Sequence, residues 1–385
     1  MTQEPVPVYL DNQASTPMDP RVLRVMVDAM YGVYANPHSS EHAEGWKAGG
    51  IVDDARATIA GAIGALPEEI VFTSGATESN NIALLGGGRA LPVSRRHVAV
   101  SAIEHKSVLG PAKALAAEGW LVDLVPVDSS GQVDLDALAR SLHNGAALVS
   151  VMLVNNEVGT LQPIAEISSM CRAAGAIFHA DAAQALSWMP LDVEELGVDL
   201  LSLSGHKAYG PKGVGALYVG RNLHPRPLPL MHGGEQEGGL RPGTLAPYLC
   251  TGLAEACSIS AAEGSAAAEK MAGLRDTIKS LVLEAIPGAV IVGAVAERHP
   301  GNLSIRFPGI DAGRLIGSLQ PWLAISSGSA CTSGVPESSH VLLAMGMNHR
   351  EASEVIRVAV SKMTTLEEAE RAGRLIADAA LRATT

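Results

Sequence analysis

Residues 202–219 read Ser202-Leu-Ser-Gly-His-Lys-Ala-Tyr-Gly-Pro-Lys-Gly-Val-Gly-Ala-Leu-Tyr-Val219. They place one lysine, Lys207, at the predicted exit of an apolar strand, after a histidine and before a Gly/Pro turn. Because an ammonium is badly solvated at the end of a buried strand, the pKa of such a lysine can fall towards neutrality. A neutral amine in a dry pocket is what Schiff-base chemistry needs. Taken alone, Lys207 also fits a loop lysine that reaches solvent, since lysines are rarely buried.

Outward from this stretch, short β-branched runs alternate with helical patterns between residues 50 and 220. The predicted strands are Ile70–Thr73, His97–Ser101, Leu121–Pro126, Ala147–Leu153, Ala176–Asp181, Asp199–Ser204 and Gly215–Val219. The predicted helices between them include Glu78–Leu85, Ser107–Glu118, Asp134–Leu142 and Pro163–Ala174. This alternation predicts an α/β fold with a mostly parallel, seven-stranded sheet between helices. In such sheets ligands bind beyond the carboxyl ends of the strands.

The pattern changes after residue 262. An Ala-rich helix is predicted over Glu263–Ile286, and a last helix begins at Thr365 with Glu368 completing a capping box. Between them the predicted elements are the strands Asn302–Phe307, Leu323–Ser327 and Val355–Val360 and the helix Glu337–Met345. We therefore predict a large domain over residues 16–262 and a smaller α+β domain made of residues 1–15 and 263–385.

Composition excludes several classes of protein. The chain has 385 residues, 47% of them hydrophobic and 18% charged, which is typical of a globular protein with a large core. The net charge of −12 argues against direct nucleic-acid binding, which needs a basic face. No signal peptide or membrane span is predicted. The four cysteines lie far apart, which argues against a disulfide framework and a metal site and favours the cytoplasm.

Polar residues follow most of the predicted strands, and together they point to one ligand. Thr73-Ser-Gly-Ala-Thr-Glu-Ser79 turns from a strand into a helix, where backbone N–H groups and Ala76 and Thr77 could cradle a phosphate, although an ordinary helix cap also explains it. The other candidates at strand ends are His105, Asn155, Asn156, Asp181, Gln184, Ser204 and His206. An anion cradle, an imidazole, an aspartate and a lysine in this order predict a site for pyridoxal phosphate. Asp181 would keep the pyridine nitrogen protonated, so that the ring accepts the electrons left when a Cα proton departs.

Cys331 differs from the other cysteines in its surroundings. It lies in Ser326-Ser-Gly-Ser-Ala-Cys-Thr-Ser333, among small polar residues that do not resemble a core. Burial is the simpler interpretation for Cys171, Cys250 and Cys257. For Cys331 a nucleophile is the better interpretation.

These motifs resemble those of the group I (NifS/IscS-like) cysteine desulfurases, which are fold-type I enzymes of the class V aminotransferase superfamily. Besides the segments above, the resemblance covers Tyr9-Leu-Asp-Asn-Gln-Ala-Ser-Thr-Pro17, Asn36-Pro-His-Ser39, Val154-Asn-Asn-Glu157, His232-Gly-Gly234, Arg241-Pro-Gly-Thr244 and Ile356-Arg357. It implies a pyridoxal-phosphate-dependent conversion of L-cysteine to L-alanine, with the sulfur passing to a cysteine persulfide. The alternatives are selenocysteine lysis and transamination by the same kind of site, and a non-enzymatic relative.

The resemblance also implies roles for individual residues. Lys207 would form the Schiff base, Cys331 would carry the persulfide, and His105 would stack on the ring and exchange the substrate thiol proton. The phosphate ligands would be Ala76, Thr77, Ser204 and His206, with Thr244 from the partner subunit of a homodimer. Asp181 would pair with the ring nitrogen and Gln184 with its phenolic oxygen. Asn36, Asn156 and Arg357 would bind the substrate.

Two departures from the family pattern lie near the expected dimer contact. Glu235 replaces a glycine and Gly238 an arginine in the stretch that relatives write Gly-Gly-Gly-Gln-Glu-Arg-Gly. The resemblance implies a protein sulfur acceptor as partner, serving iron–sulfur cluster assembly, tRNA thiolation or DNA phosphorothioation.

Overall fold

The computed structural model describes residues 7–327 and 338–384. In these ranges the strands are β1 (Val8–Tyr9), β2 (Ile70–Thr73), β3 (His97–Ser101), β4 (Leu121–Val125), β5 (Leu148–Ser150), β6 (Ile177–Asp181), β7 (Leu200–Ser204), β8 (Gly215–Val219), β9 (Val290–Ile291), β10 (Asn302–Arg306), β11 (Leu323–Ala324) and β12 (Val355–Ala359). Cys331 and the predicted helix start at Glu337 lie outside the described residues.

Helices cover both sides of these strands. In the same two ranges they are α1 (Pro20–Gly32), α2 (Ala43–Ala62), α3 (Ala76–Asn81), α4 (Gly87–Ala90), α5 (Lys106–Ala117), α6 (Leu135–His143), α7 (Ile164–Ala174), α8 (Val193–Leu196), α9 (Pro247–Ala285), α10 (Ala312–Ser318), α11 (His340–Ala344), α12 (His349–Ala352) and α13 (Leu366–Thr384). None of the helices in the described ranges combines the length and the apolar character that a bilayer crossing requires.

The large sheet confirms the predicted architecture. Its strand order is β2-β8-β7-β6-β5-β3-β4. Neighbours from β7 to β4 pair in parallel, whereas β8 is antiparallel to both β2 and β7. Every strand but the edge strand β4 is buried along its whole length, because helices cover both faces. The carboxyl ends of β2, β3, β5, β6 and β7 therefore meet at one edge.

The second half of the chain forms two small sheets. Strands β12, β10 and β9 pair antiparallel, and β1 from the N-terminus pairs in parallel with β11. The predicted capping box is confirmed, since the Glu368 carboxylate accepts from the Thr365 backbone N–H at 2.8 Å and the Thr365 hydroxyl accepts from the Glu368 N–H at 3.2 Å.

The long helix α9 begins at Pro247, sixteen residues before the predicted start at Glu263. Proline is favourable in the first turn, where its missing N–H is not needed. Gly252, which weakens a helical pattern in sequence, lies where α1 packs: a Cβ atom there would stand 2.7 Å from Met26. The predicted domain boundary at 262/263 falls inside this helix, so the division into two domains stays a prediction.

Candidate active site

A cavity of about 430 Å³ lies beyond the carboxyl ends of the parallel strands. Most of the residues predicted for the site line it: Ala76, Thr77, His105, Asn156, Asp181, Gln184, Ser204, His206, Lys207 and Arg357. These residues come from six separate segments of the chain, and the ends of the strands bring them together. Asn36 and Thr244 do not line this cavity in the same chain, because both border another cavity of about 400 Å³.

Two glycines shape the turn between β2 and α3. Gly75 has φ 145°, a conformation that disfavours any residue with a side chain. It packs against Gly215 of β8, where a Cβ atom would stand 2.7 Å from the Gly75 Cα. Glu78 accepts a hydrogen bond from the Ser74 N–H and pairs with Arg241 at 3.0 Å, which lowers the pKa of its carboxyl against the effect of burial. The close packing of the two glycines and the contacts of Glu78 thus fix the conformation of the turn beside the cavity.

Lys207 extends from the turn after β7 towards the N-terminal segment. Its Nζ donates to the backbone oxygens of Gln13 at 2.6 Å and Ala14 at 2.8 Å. The Gln184 amide donates to the same Gln13 oxygen at 2.9 Å, and the Thr16 N–H donates to His206 O at 3.0 Å. The first residues of the chain therefore form one wall of the cavity around the lysine.

Asp181 ends β6 as a buried side chain with two fixed donors. Asn80 Nδ2 donates to its Oδ2 at 2.7 Å, and the Ala183 N–H donates to its Oδ1 at 2.9 Å. These contacts aim the carboxylate into the cavity without an opposing cation from the described part of the chain within ion-pair distance. A cationic ring nitrogen would compensate such a group.

Burial favours the neutral form of both histidines of the site. Burial, with Lys207 and Lys212 nearby, lowers the pKa of His206 to about 4, and its Nδ1 lies 3.2 Å from the Ser15 hydroxyl. Burial also lowers the pKa of His105, although the charge of Asp181 acts in the opposite direction. His105 caps the N-terminus of α5, where its Nδ1 accepts from the Ser107 N–H.

Arg357 of β12 reaches the cavity from the small antiparallel sheet. Its Nη2 donates to Asp11 at 2.6 Å and its Nη1 to the backbone oxygen of Asn156 at 2.7 Å. Its Nε is buried and has no hydrogen-bond partner among the described residues. A buried guanidinium with an unused donor beside Asn156 fits a carboxylate ligand.

Glu104 lies under this site and is completely buried. Its Oε1 accepts from the Met152 N–H at 2.6 Å, while its Oε2 has no partner in the described ranges. Burial and the neighbouring charge of Asp181 raise the pKa of this carboxyl well above its ordinary value. Burial therefore favours the protonated form of Glu104, whereas Asp181 is the carboxyl that faces the cavity.

Sequence reasoning missed the groups that support the site. They are Asp11, Gln13, Asn80, Glu104 and Ser107. Asp11, Gln13 and Asn80 lie inside motifs quoted above or directly next to one, and Glu104 precedes the candidate His105, so proximity was the available signal. Their partners lie up to 346 residues away in the chain, so only the fold reveals what they contact.

The residues present fit pyridoxal phosphate. The cavity has an open Gly turn with hydroxyl donors at one end, a buried carboxylate at another, an imidazole on its wall and a lysine amine within the same space. This is the donor set that a phosphate, a protonated pyridine nitrogen, an aromatic face and an aldehyde require. The individual pairings remain predictions.

Comparison with known proteins places this geometry in context. The model of the family described as Aminotransferase class-V matches residues 8–372. A cysteine desulfurase of Pongo abelii is 43% identical over 364 residues, which are 94% of this chain and 79% of that protein. A solved NifS-like protein superposes with a TM-score of 0.90 at 36% identity, covering 97% of this chain and 99% of its own. A solved structure of SspA in complex with cysteine gives a TM-score of 0.80 at 34% identity, covering 93% and 99%.

Proposed function

Since the chain belongs to the class V aminotransferase family, as a NifS/IscS-like cysteine desulfurase that depends on pyridoxal phosphate, we propose that Lys207, His105 and Cys331 carry out its reaction. The enzyme converts L-cysteine to L-alanine. The observation that supports this assignment of roles is the shared cavity, in which Lys207, Asp181, His105 and Arg357 come within reach of one small ligand.

When bound, pyridoxal phosphate supplies an electron sink next to the substrate Cα. In our proposal Ser204, Thr77, Ala76 and His206 hold its phosphate, with the neutral His206 as a donor. Asp181 and Gln184 hold the ring nitrogen and the phenolic oxygen.

The chain's own groups then handle the substrate. Arg357 and Asn156, with Asn36, bind the substrate and its carboxylate, and Lys207 Nζ accepts the Cα proton as general base. The Cys331 thiolate attacks the substrate sulfur, so that an S–S bond forms and the Cβ–S bond breaks. The electron pair stays on the substrate carbon, which takes up a proton and leaves as alanine. Cys331 lies outside the described residues, so its role rests on the sequence.

An assay with L-cysteine and dithiothreitol tests this proposal. A desulfurase releases sulfide and alanine in equal amounts, whereas a transaminase forms a keto acid. A protein with an inactive site forms neither. With selenocysteine as a competing substrate, the ratio of kcat/KM values separates the desulfurase from a selenocysteine lyase.

We also propose that the enzyme works as a homodimer. Large apolar side chains are exposed on and after α1 and on α2: Leu23, Met30, Tyr31, Tyr34 and Trp46. Tyr31 is 87% and Tyr34 81% exposed, which is unusual for a monomer surface. The cavity that contains Asn36 and Thr244 borders the same patch. A second copy packed there would bring Thr244 to the phosphate of its partner.

Sedimentation of the cofactor-loaded protein tests the dimer. A monomer at micromolar concentration with a full complement of cofactor contradicts it. Thr244→Ala should weaken cofactor binding without unfolding the protein.

The persulfide needs an acceptor, and we propose a protein partner in the cytoplasm. A scaffold for iron–sulfur cluster assembly, a tRNA thiolation enzyme or a DNA phosphorothioation enzyme would each accept sulfur at this oxidation level. Transfer of ³⁵S from Cys331 to candidate acceptors, together with cell fractionation, distinguishes them.

A further inference from the structure

The Nδ1 atom of His105 is fixed as a hydrogen-bond acceptor. The backbone N–H of Ser107 donates to it at 3.1 Å, as part of the N-cap of α5. The Ser107 hydroxyl lies 2.7 Å from the same nitrogen. A backbone N–H always donates, so Nδ1 must present its lone pair to Ser107.

Because Nδ1 is an acceptor, the Ser107 hydroxyl must donate at this contact, and the next two groups agree with that direction. Asn80 Nδ2 lies 2.7 Å from Asp181 Oδ2 and 2.8 Å from Ser107 Oγ. Because carboxylate oxygens accept, the Asn80 amide must turn its NH₂ group towards Asp181, and its second hydrogen then goes to Ser107. Ser107 Oγ accepts that bond and sends its own hydrogen to His105 Nδ1. The four groups form one directed chain, and the three beyond His105 are buried.

The electrostatic surroundings favour the same form of the ring. The N-terminal end of α5, which is twelve residues long, disfavours a positive charge on its cap. Burial lowers the pKa of His105, and the charges of Lys207, His340 and Lys106 lower it further. Asp181 acts in the opposite direction, but it is already bonded to Asn80 and Ala183.

We infer that Asn80 and Ser107 are positioning residues that hold His105 as the neutral tautomer with its proton on Nε2. In this form Nε2–H is a hydrogen-bond donor to whatever occupies the cavity. It has no lone pair with which to take up the thiol proton of L-cysteine, so His105 orients the substrate or the cofactor and does not act as a base. This rests on the proposed function, and it replaces the proton-exchanging role that the sequence analysis gave His105.

The tautomer is measurable in the wild-type holoenzyme, and a variant is needed only to assign the His105 signals. Long-range ¹H–¹⁵N correlation spectra of protein labelled at the histidine rings separate protonated from unprotonated nitrogens. The chain contains 12 histidines, and the His105 signals are those that disappear in His105→Gln. We expect an unprotonated Nδ1 and a protonated Nε2 at neutral pH. A proton on Nδ1, alone or together with one on Nε2, overturns the inference.

Variants of the supporting residues test their part. Ser107→Ala removes one donor to Nδ1, so the pKa of His105 measured in the same spectra should rise by about one unit. Ser107→Thr keeps the hydroxyl and should restore most of the original value. Asn80→Ala should raise the pKa in the same direction, whereas the matched control Asn81→Ala, whose amide donates to Thr77 O, should leave it unchanged. An unchanged pKa in both Ser107→Ala and Asn80→Ala overturns the positioning role.

Kinetics separate this inference from the function on which it rests. The acidic limb of kcat/KM for sulfide release should move about one unit to higher pH in Ser107→Ala, since His105 then protonates more readily. If the wild-type enzyme releases neither sulfide nor alanine, the proposed roles fail while the tautomer stands. If it is active and Nδ1 carries the proton, the roles stand and the inference fails.

Discussion

At the carboxyl ends of the parallel strands the large sheet opens into the 430 Å³ cavity around Lys207, whereas at their amino ends it opens into a cavity of about 560 Å³. The larger one also contains ionisable side chains, namely Glu69, Cys171, Arg172, Glu194, Asp199, Tyr218 and Arg221. Volume and charge alone would therefore favour the end of the sheet without the lysine.

The two cavities differ in what their polar atoms are doing. In the larger one Glu69 accepts from the backbone N–H groups of Leu66 and Arg221, and Asp199 accepts from that of Phe178. These contacts stabilise turns and strand starts. At the other end, side chains from separate strands converge, and the Nε of the buried Arg357 has no hydrogen-bond partner in the part of the chain that the structure describes. Convergence at the carboxyl edge, and not volume, marks the site.

The largest effect is expected from Lys207→Ala. Without an amine at this position the Cα proton has no base, so kcat should fall about 10³-fold. Alanine formed from L-cysteine measures it, with Lys279→Ala, a surface lysine paired with Asp276, as control. A loss of less than tenfold contradicts the role of Lys207.

Cys331→Ser should reduce sulfide release by a similar factor, about 10³-fold, because a hydroxyl is a far weaker nucleophile than a thiolate. The variant should keep its yellow colour and still change its spectrum on addition of L-cysteine. Cys257→Ser, at a buried thiol whose pKa burial raises to about 12, is the matched control. A loss of only a fewfold would show that another thiol attacks the substrate.

A pair of aspartates tests the comparison of the two cavities directly. Asp181 and Asp199 both border a cavity and both accept a backbone N–H. Asp181→Asn should reduce kcat about 10²-fold, because the amide cannot compensate a ring cation. Asp199→Asn should change kcat by less than about twofold. Its side-chain oxygen can still accept from the Phe178 N–H, and substitutions away from the reacting groups usually have small effects. Equal losses of kcat in both variants would contradict the distinction between the two cavities.

Arg357→Lys should raise KM for L-cysteine about tenfold with a smaller change in kcat, because an ammonium cannot form the two-point contact of a guanidinium. Steady-state kinetics measure it. An unchanged KM would remove Arg357 from the carboxylate site.

The smallest effect concerns Glu104 and stability. Burial raises the pKa of this carboxyl in the folded state, so the folded protein keeps a proton that the unfolded chain loses above pH about 4.5. Its contribution to stability is complete below that pH and is lost as pH rises towards the raised pKa. The variant Glu104→Gln has no ionisable group at this position and so does not lose this stability. The difference in Tm, variant minus wild type, should therefore increase from pH 5 to pH 8. Parallel Tm curves would show that Glu104 is ionised in the folded protein.

Sequence patterns predicted the parts of the fold that depend on neighbouring residues. Strands β2, β3 and β8 lie where the apolar runs lie, because strands buried on both faces are continuous in apolar character. The start of α9 was missed, since Gly252 counts against a helix until α1 is packed on it. Local patterns carry no information about such a contact.

The residues of the site also fall into two groups, those that the local sequence predicts and those whose contacts only the fold reveals. Asp181 is the last residue of its strand, and Lys207 and His105 lie three and four residues beyond theirs, so topology alone brings them together. The bond from Asn80 to Ser107 spans 27 residues and that from Arg357 to Asp11 spans 346, and neither has a signal in spacing. Asn36 and Thr244 border a separate cavity, and in our proposal a second subunit brings Thr244 to the phosphate.

Borohydride reduction of the yellow enzyme tests the central claim most directly, because it fixes the cofactor to the lysine that binds it. Peptide mapping by mass spectrometry then locates the reduced adduct. Lys207 should carry all of it, since its amine lies in the cavity with Asp181 and His105. An adduct on Lys212, which lines the same cavity, or on any other lysine would contradict the assignment of this site.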